Sequence, residues 1–79
     1  MSAQNTTEAI VLYAFQKGGN HGVSEDDLNK FTAFSPRDAF LGLKNAERQG
    51  YFIDVSSHDG RGWILSQDGI SFAKALLLT

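Results

Sequence analysis

Apolar residues recur at helical spacing in four stretches of the chain. Stripes such as Ala39, Leu43 and Ala46 lie on one side of a helix and give it a face to bury. Ser35 before Pro36 is typical of a helix start. The serine side chain can cap the first turn, and the N–H that proline lacks has no partner within the helix at that position. The pattern predicts helices over about residues 6–17, 25–32, 36–49 and 67–78.

Between the third and fourth helices the spacing changes from helical to strand-like. Tyr51-Phe52-Ile53 is rich in aromatic and β-branched residues, and Gly62-Trp63-Ile64 resumes that pattern. Asp59-Gly60 between them favours a type I′ turn, whose two central residues need positive φ. The sequence therefore predicts a hairpin with strands at about 51–56 and 61–65. His21-Gly22-Val23 is expected to form a stub of strand before the second helix.

Length and composition indicate one small folded domain over residues 1–79. The chain has a mass of 8.6 kDa, 42% hydrophobic residues and no cysteine. Disulfide frameworks, thiolate metal sites and cysteine nucleophiles are therefore excluded. The first residues lack the features of a secretory signal, and the apolar run at 9–15 is too short to span a bilayer. We expect an intracellular protein (cytoplasmic, nucleoid or nuclear) that is neither secreted nor bound to a membrane.

The order of these elements is that of the winged helix-turn-helix plan. Gly50 followed by Tyr51-Phe52-Ile53 resembles the junction between the recognition helix and the wing in winged-helix regulators. Leu65-Ser66-Gln67-Asp68-Gly69 is similar to the Leu-Thr-x-x-Gly that follows the wing in regulators of the multiple-antibiotic-resistance (MarR) and phenolic-acid-decarboxylase (PadR) types. The resemblance covers about residues 6–77. It implies an α+β winged helix-turn-helix domain with a three-helix core, a β-hairpin wing and a C-terminal helix.

The same resemblance implies duplex DNA as the partner and transcription regulation as the role. In such domains the third helix enters the major groove and the wing touches the backbone or the minor groove. Arginine suits a guanine edge and asparagine an adenine edge, and the resemblance puts Arg61 in the place of the wing-tip probe. The residues predicted to contact DNA are Ser35, Arg37, Leu41, Lys44, Asn45, Arg48, His58 and Arg61.

Charge narrows this prediction and leaves a second one open. A net charge of −2 excludes a protein that is basic throughout, but it does not exclude one basic face. Acidic residues collect in the second helix, whereas most cations lie in the third helix and the wing. The cations of the third helix and the wing only slightly outnumber the acidic residues there, which predicts weak, salt-dependent DNA binding by a monomer. Exposed Leu41 on the predicted reading face is also compatible with a winged helix that acts as a protein-docking module.

No catalytic, metal or cofactor site is expected. His21 and His58 are predicted in loops, away from paired carboxylates at metal-binding spacing. The glycines at 18 and 19 are not followed by the Gly-Lys-Ser/Thr of a phosphate loop. The last helix is apolar on more than one face over residues 73–78. This pattern predicts either a homodimer contact through the C-terminal helix or an exposed helix end.

Overall fold

The computed structural model describes residues 6–17, 21–30 and 35–78. Within these ranges the helices are α1 (Thr6–Gln16), α2 (Glu25–Lys30), α3 (Pro36–Arg48) and α4 (Gln67–Leu77). The strands are β1 (Gly22–Ser24), β2 (Phe52–Asp54) and β3 (Gly62–Leu65). The order of the elements is the predicted one, and it builds an α+β domain with helices on one face of an antiparallel sheet.

Helix α1 is the centre of the core. Ile10, Val11 and Ala14 have no exposed surface, because α1 packs against α3, α4 and β3. A helix covered from several directions buries more than one stripe, so neighbouring faces of α1 are apolar as well. Each large aliphatic side chain buried in this way stabilises the domain by about 1.5–3 kcal/mol.

Strand β3 lies in the middle of the sheet, antiparallel to β1 and β2. Its Trp63 is paired with Val23 on one side and with Asp54 on the other. The indole ring is completely buried and meets the Phe40 ring of α3 edge-on, with 6.1 Å between the ring centres. Trp63 thus joins the sheet to the helix that the sequence predicts as the reading helix. Its Nε1 has no hydrogen-bond partner among the described residues.

Strand β2 is shorter than predicted, covering Phe52–Asp54 and not 51–56. At its start, the N–H of Tyr51 donates to the Ala46 carbonyl at 2.9 Å and so closes the end of α3. At its other end, a carboxylate oxygen of Asp54 accepts from the N–H of Ser56 at 2.8 Å and bends the chain. Local hydrogen bonds of this kind compete with strand pairing.

The other element ends differ from the predictions by one residue where they can be compared. Helices α1, α3 and α4 each end one residue early, and β3 begins at Gly62. Gln49 and Leu78 follow α3 and α4 as C-caps. The predicted last residues of α2 (31 and 32) lie outside the described residues, as do residues 18–20, which follow the predicted end of the first helix.

The predicted type I′ turn at Asp59-Gly60 is wrong. The N–H of Ser57 donates to the Gly60 carbonyl at 2.9 Å, and the N–H of Gly60 donates to the Ser57 carbonyl at 3.2 Å. The central residues of the turn are therefore His58 and Asp59, and neither has a positive φ. Gly60 follows the two central residues of the turn, and its φ of +153° is a conformation that favours glycine.

The Leu65-to-Gly69 motif fixes α4 against the start of β2. The Ser66 hydroxyl oxygen accepts from the N–H of Gly69 at 3.0 Å, and the N–H of Ser66 donates to the Tyr51 carbonyl at 2.9 Å. Gly69 lies so near that carbonyl that a Cβ atom would be 2.2 Å from the Tyr51 oxygen. Close approach of two backbones, and not chain flexibility, requires glycine here.

We expect Gly69→Ala to lower the free energy of unfolding by about 1–3 kcal/mol, because the new methyl group overlaps a backbone oxygen that cannot move aside. This effect opposes helix propensity, which favours alanine by up to about 1 kcal/mol. Urea denaturation measures the difference. Ser71→Ala, on the exposed side of α4, is the control and should leave stability unchanged within about 0.5 kcal/mol. An unchanged Gly69→Ala midpoint would contradict the expectation.

Candidate nucleic-acid interface

Helix α3 has a buried face and an exposed face on opposite sides. The buried residues are Ala39, Gly42, Leu43 and Ala46. Three of the four are small, so α3 approaches α1 closely. A Cβ atom at Gly42 would be only 2.6 Å from Cγ2 of Thr6. This packing turns the opposite face of α3 away from the core.

Four of the predicted DNA-contacting residues form a row on that exposed face. Their helical positions fall within about 60° of one another, at 100° per residue. They are Arg37, Leu41, Lys44 and Arg48. Arg37 and Arg48 are exposed and have no ion pair among the described residues, and Leu41 is 54% exposed. The ammonium of Lys44 is 2.8 Å from a carboxylate oxygen of Glu47, which partly neutralises it.

Asn45 lies at the edge of this row, on the side of α1. Its side-chain amide donates to the Thr7 hydroxyl at 2.9 Å. The two residues are far apart in the sequence, so spacing alone gave no sign of this contact. An amide has two N–H donors and a carbonyl, so it can keep this bond and still offer other groups.

Ser35 is the N-cap of α3. Its hydroxyl oxygen accepts from the N–H of Asp38 at 3.2 Å, and its backbone is extended, with φ −63° and ψ 155°. A hydroxyl that accepts one hydrogen bond can still donate its own proton. Capping is therefore compatible with the predicted phosphate contact of Ser35.

Arg61 lies against the body of the domain and does not project from the wing tip. Its guanidinium carbon is 5.0 Å from the centre of the Phe40 ring and 5.3 Å from that of Trp63. Its Nη1 lies 3.9 Å from a carboxylate oxygen of Glu25, a long ion pair at the start of α2. His58 does occupy the turn at the wing tip, where it is exposed.

Arg61 and Arg37 both line a depression of about 380 Å³ at the N-terminal end of α3. Glu25, Leu28 and Phe40 also line it, and no sequence pattern assigned Phe40 to the site. The charged side chains of the depression are the guanidiniums of Arg37 and Arg61 and the carboxylate of Glu25, which together leave a small positive excess. This excess favours an anion such as one phosphate group.

Asp54 brings negative charge near the cations of the site. Hydrogen bonds from the side chain and the N–H of Ser56 lower the pKa of Asp54, and the charges of Lys44 and Arg61 lower it further. The carboxylate is therefore ionised at neutral pH and weakens the positive potential of the wing.

At the start of α2, Asp27 and Ser24 form a reciprocal capping box. The N–H of Ser24 donates to the Asp27 carboxylate at 2.9 Å, and the N–H of Asp27 donates to the Ser24 hydroxyl oxygen at 3.2 Å. The ammonium of Lys17 binds the same carboxylate oxygen. Burial alone raises the pKa of Asp27, but the hydrogen bonds from Lys17 and Ser24 outweigh it, so the pKa lies below the ordinary value of 3.8.

The two histidines lie in separate environments. The His21 ring stacks on Phe15, with 5.1 Å between the ring centres, whereas His58 is in the wing turn. Within the described ranges, no group of three or more histidine and carboxylate side chains is arranged to hold a metal ion. In the same ranges, no helix has both the length and the apolar surface to cross a bilayer.

Two solved structures have the same fold. MepR, a transcription regulator of the Staphylococcus aureus multidrug efflux pump MepA, matches with a TM-score of 0.72 and 19% identity, over 94% of this chain and 55% of that one. A mutant of Lactococcus lactis ZitR matches with a TM-score of 0.75 and 16% identity, over 99% of this chain and 53% of that one. No family model and no curated protein matches the sequence.

The likeness establishes the fold. The predicted winged helix-turn-helix architecture, and its resemblance to MarR-type regulators, are confirmed at that level. The chain spans about half the length of the two solved chains.

We expect Asp27→Asn to lower the free energy of unfolding by roughly 1 kcal/mol at pH 7, because it weakens both the cap and the contact with Lys17. A carboxylate whose pKa is lowered by folding stabilises the folded state above its unfolded pKa. That contribution is lost as the pH falls through the folded pKa. The difference between wild type and variant should therefore be constant near neutrality and shrink below pH 3.8.

Urea denaturation over a series of pH values checks this. Asp68→Asn is the control, since Asp68 is an exposed first-turn acid of α4 with no ion pair among the described residues. The expectation would be contradicted if the difference in free energy of unfolding between wild type and Asp27→Asn stayed constant down to the lowest pH at which the protein folds.

Proposed function

We propose that this domain binds duplex DNA through α3 and the wing, as the DNA-binding module of a transcription regulator. The observation that supports it best is the exposed row Arg37, Leu41, Lys44 and Arg48 on α3. A helix with its side chains is about 10–12 Å across, and the major groove is about 12 Å wide. The fold, shared with a transcription regulator, supports the same role. This role requires neither catalysis nor a cofactor.

In this proposal the first turn of α3 holds the DNA backbone. Arg37 and Arg61 line the depression there, and Ser35 can donate its hydroxyl proton to a phosphate oxygen. Such contacts fix the position of the helix but do not read sequence.

The middle and end of α3 would then face the bases. Arg48 can bind a guanine edge with two hydrogen bonds, and Asn45 can reach an adenine with the groups that Thr7 leaves unused. Leu41 would contact a thymine methyl group. Lys44 would turn from Glu47 towards a phosphate, and His58 would approach the backbone from the wing tip.

The charges of the site determine the affinity for DNA that we expect. Arg37 and Arg48 are unpaired among the described residues, whereas Lys44 and Arg61 each lie near a carboxylate. Each phosphate contact contributes about −0.9 to the slope of log K against log salt, so one domain should bind weakly and lose affinity steeply with salt. Two domains on one duplex would double the contacts.

We expect the double variant Arg37→Ala, Arg48→Ala to bind a random duplex at least about tenfold more weakly at low salt, with a salt slope smaller by about one from the lost phosphate contact of Arg37. Fluorescence anisotropy at several salt concentrations measures both quantities. Lys74→Ala, an exposed cation of α4 outside the row, is the matched control. Failure of the wild-type protein to bind duplex at low salt would overturn the proposal. If Lys74→Ala lost as much affinity as the double variant, the assignment of the DNA-binding surface to α3 would be overturned.

We further propose a homodimer through the C-terminal helix. Leu77 is 41% exposed and Leu78 is 88% exposed at the end of α4, so both leave apolar surface open to solvent. Sedimentation equilibrium should give a mass near twice 8.6 kDa, and Leu77→Ser with Leu78→Ser should return it to 8.6 kDa. Leu41→Ser, which removes an exposed leucine of α3, should leave the mass unchanged. A monomer at all concentrations would refute the dimer.

A further inference from the structure

The outer face of the sheet carries exposed apolar side chains. Paired residues of neighbouring strands lie on the same face, and Val23 and Trp63 are buried on the inner face. The rows on either side of this pair therefore face outward. These rows are Gly22, Ile64 and Ile53, and Ser24, Gly62 and Val55. Ile53 is 49% exposed and Val55 is 48% exposed.

Glycine at position 62 makes a groove of this face. A Cβ atom there would touch only Cγ2 of Val55 and the Val23 carbonyl oxygen, each at 3.8 Å, so the space above Gly62 is open. A groove of about 440 Å³ runs between the wing and the first turn of α2. A second groove of about 280 Å³ continues over the sheet, and both are lined by Ser24, Val55 and Gly62.

We call the larger of these the acidic wing groove. Its charged lining consists of Glu25, Asp26, Asp59 and Arg61. These three carboxylates and one guanidinium account for the whole net charge of the chain, which is −2. Among the described residues, Asp26 and Asp59 have no ion pair, and Arg61 reaches only Glu25. The groove therefore repels phosphate, and DNA binding through α3 does not explain it.

We propose that the acidic wing groove binds a basic peptide segment of a partner protein. An apolar side chain of the peptide packs on Val55, and lysines or arginines on either side of it pair with Asp26 and Asp59. Charge complementarity selects this partner, since exposed carboxylates beside exposed aliphatic side chains match alternating cationic and apolar residues. The volume lies at the lower end of ligand sites, which fits a few side chains and not a folded surface.

The test uses a fluorescein-labelled peptide, Lys-Ile-Lys-Leu-Lys-Val-Lys, and its acidic counterpart, in which glutamate replaces every lysine. Anisotropy measures the affinity of the full chain for each peptide. Two-dimensional ¹H–¹⁵N NMR of the labelled protein locates the contact. We expect the basic peptide to bind and to shift the amides of Ser24, Gly60 and Gly62, while the acidic peptide does not bind.

Groove variants and matched controls test whether the peptide binds in the acidic wing groove. Asp26→Asn with Asp59→Asn should weaken binding about fivefold or more, whereas Asp68→Asn, an exposed acid outside the groove, should not. Val55→Ser should weaken binding, whereas Ala75→Ser, at an exposed apolar position of α4 outside the groove, should not. All five positions are exposed, so the variants should fold, and circular dichroism checks this.

Several results would overturn the proposal. These are equal binding of the acidic peptide, shifts confined to α3, and equal weakening by Asp68→Asn. Shifts of the same amides that grow with protein concentration in the absence of peptide would assign the groove to a second copy of the chain instead. No DNA is present in the experiment, so its result is independent of the duplex-binding proposal.

Discussion

The close packing of α1 on α3 determines where the α3 side chains of the candidate site lie. Ala39, Gly42 and Ala46 leave so little side chain between the two helices that Gly42 meets Thr6 directly. This contact fixes the rotation of α3 about its axis, and so it decides which residues face solvent. The row from Arg37 to Arg48 is exposed because the opposite side of the helix, whose buried residues are mostly glycine and alanine, packs closely on α1.

A second set of contacts ties the wing to the same helix. Phe40 reaches the ring of Trp63 from α3, and Arg61 lies over both rings. A cation at an aromatic face contributes about 0.5–1 kcal/mol at exposed sites, so Arg61 is held weakly and can be displaced. The buried Trp63 ring holds the wing to α3 more strongly, because its contact with Phe40 does not depend on the position of Arg61. The wing is thus fixed at its base and carries its polar residues at a free tip.

Local signals in the sequence predicted the elements well, and contacts between distant residues account for what was missed. Caps and glycines located the helices to within a residue wherever their ends are described, because these signals act within one turn. The hairpin turn was displaced by one position, since an Asp-Gly pair fits more than one register and the pairing of β2 with β3 selects one. The family resemblance placed Arg61 at the wing tip. Its position against the domain was missed because its neighbours Phe40 and Glu25 come from other parts of the chain. The Asn45–Thr7 bond escaped prediction for the same reason.

Arg61 stands between the two surfaces of the domain, lining both the depression beside Arg37 and the acidic wing groove. Its only ion pair among the described residues is with Glu25, at the long distance of 3.9 Å. A cation bound beside Glu25 would compete for that carboxylate and leave the guanidinium free to turn towards a phosphate. Linkage is reciprocal, so a phosphate that captured Arg61 would equally leave Glu25 free for the cation. One arginine thus gives this small domain the means for positive cooperativity between ligands of opposite charge.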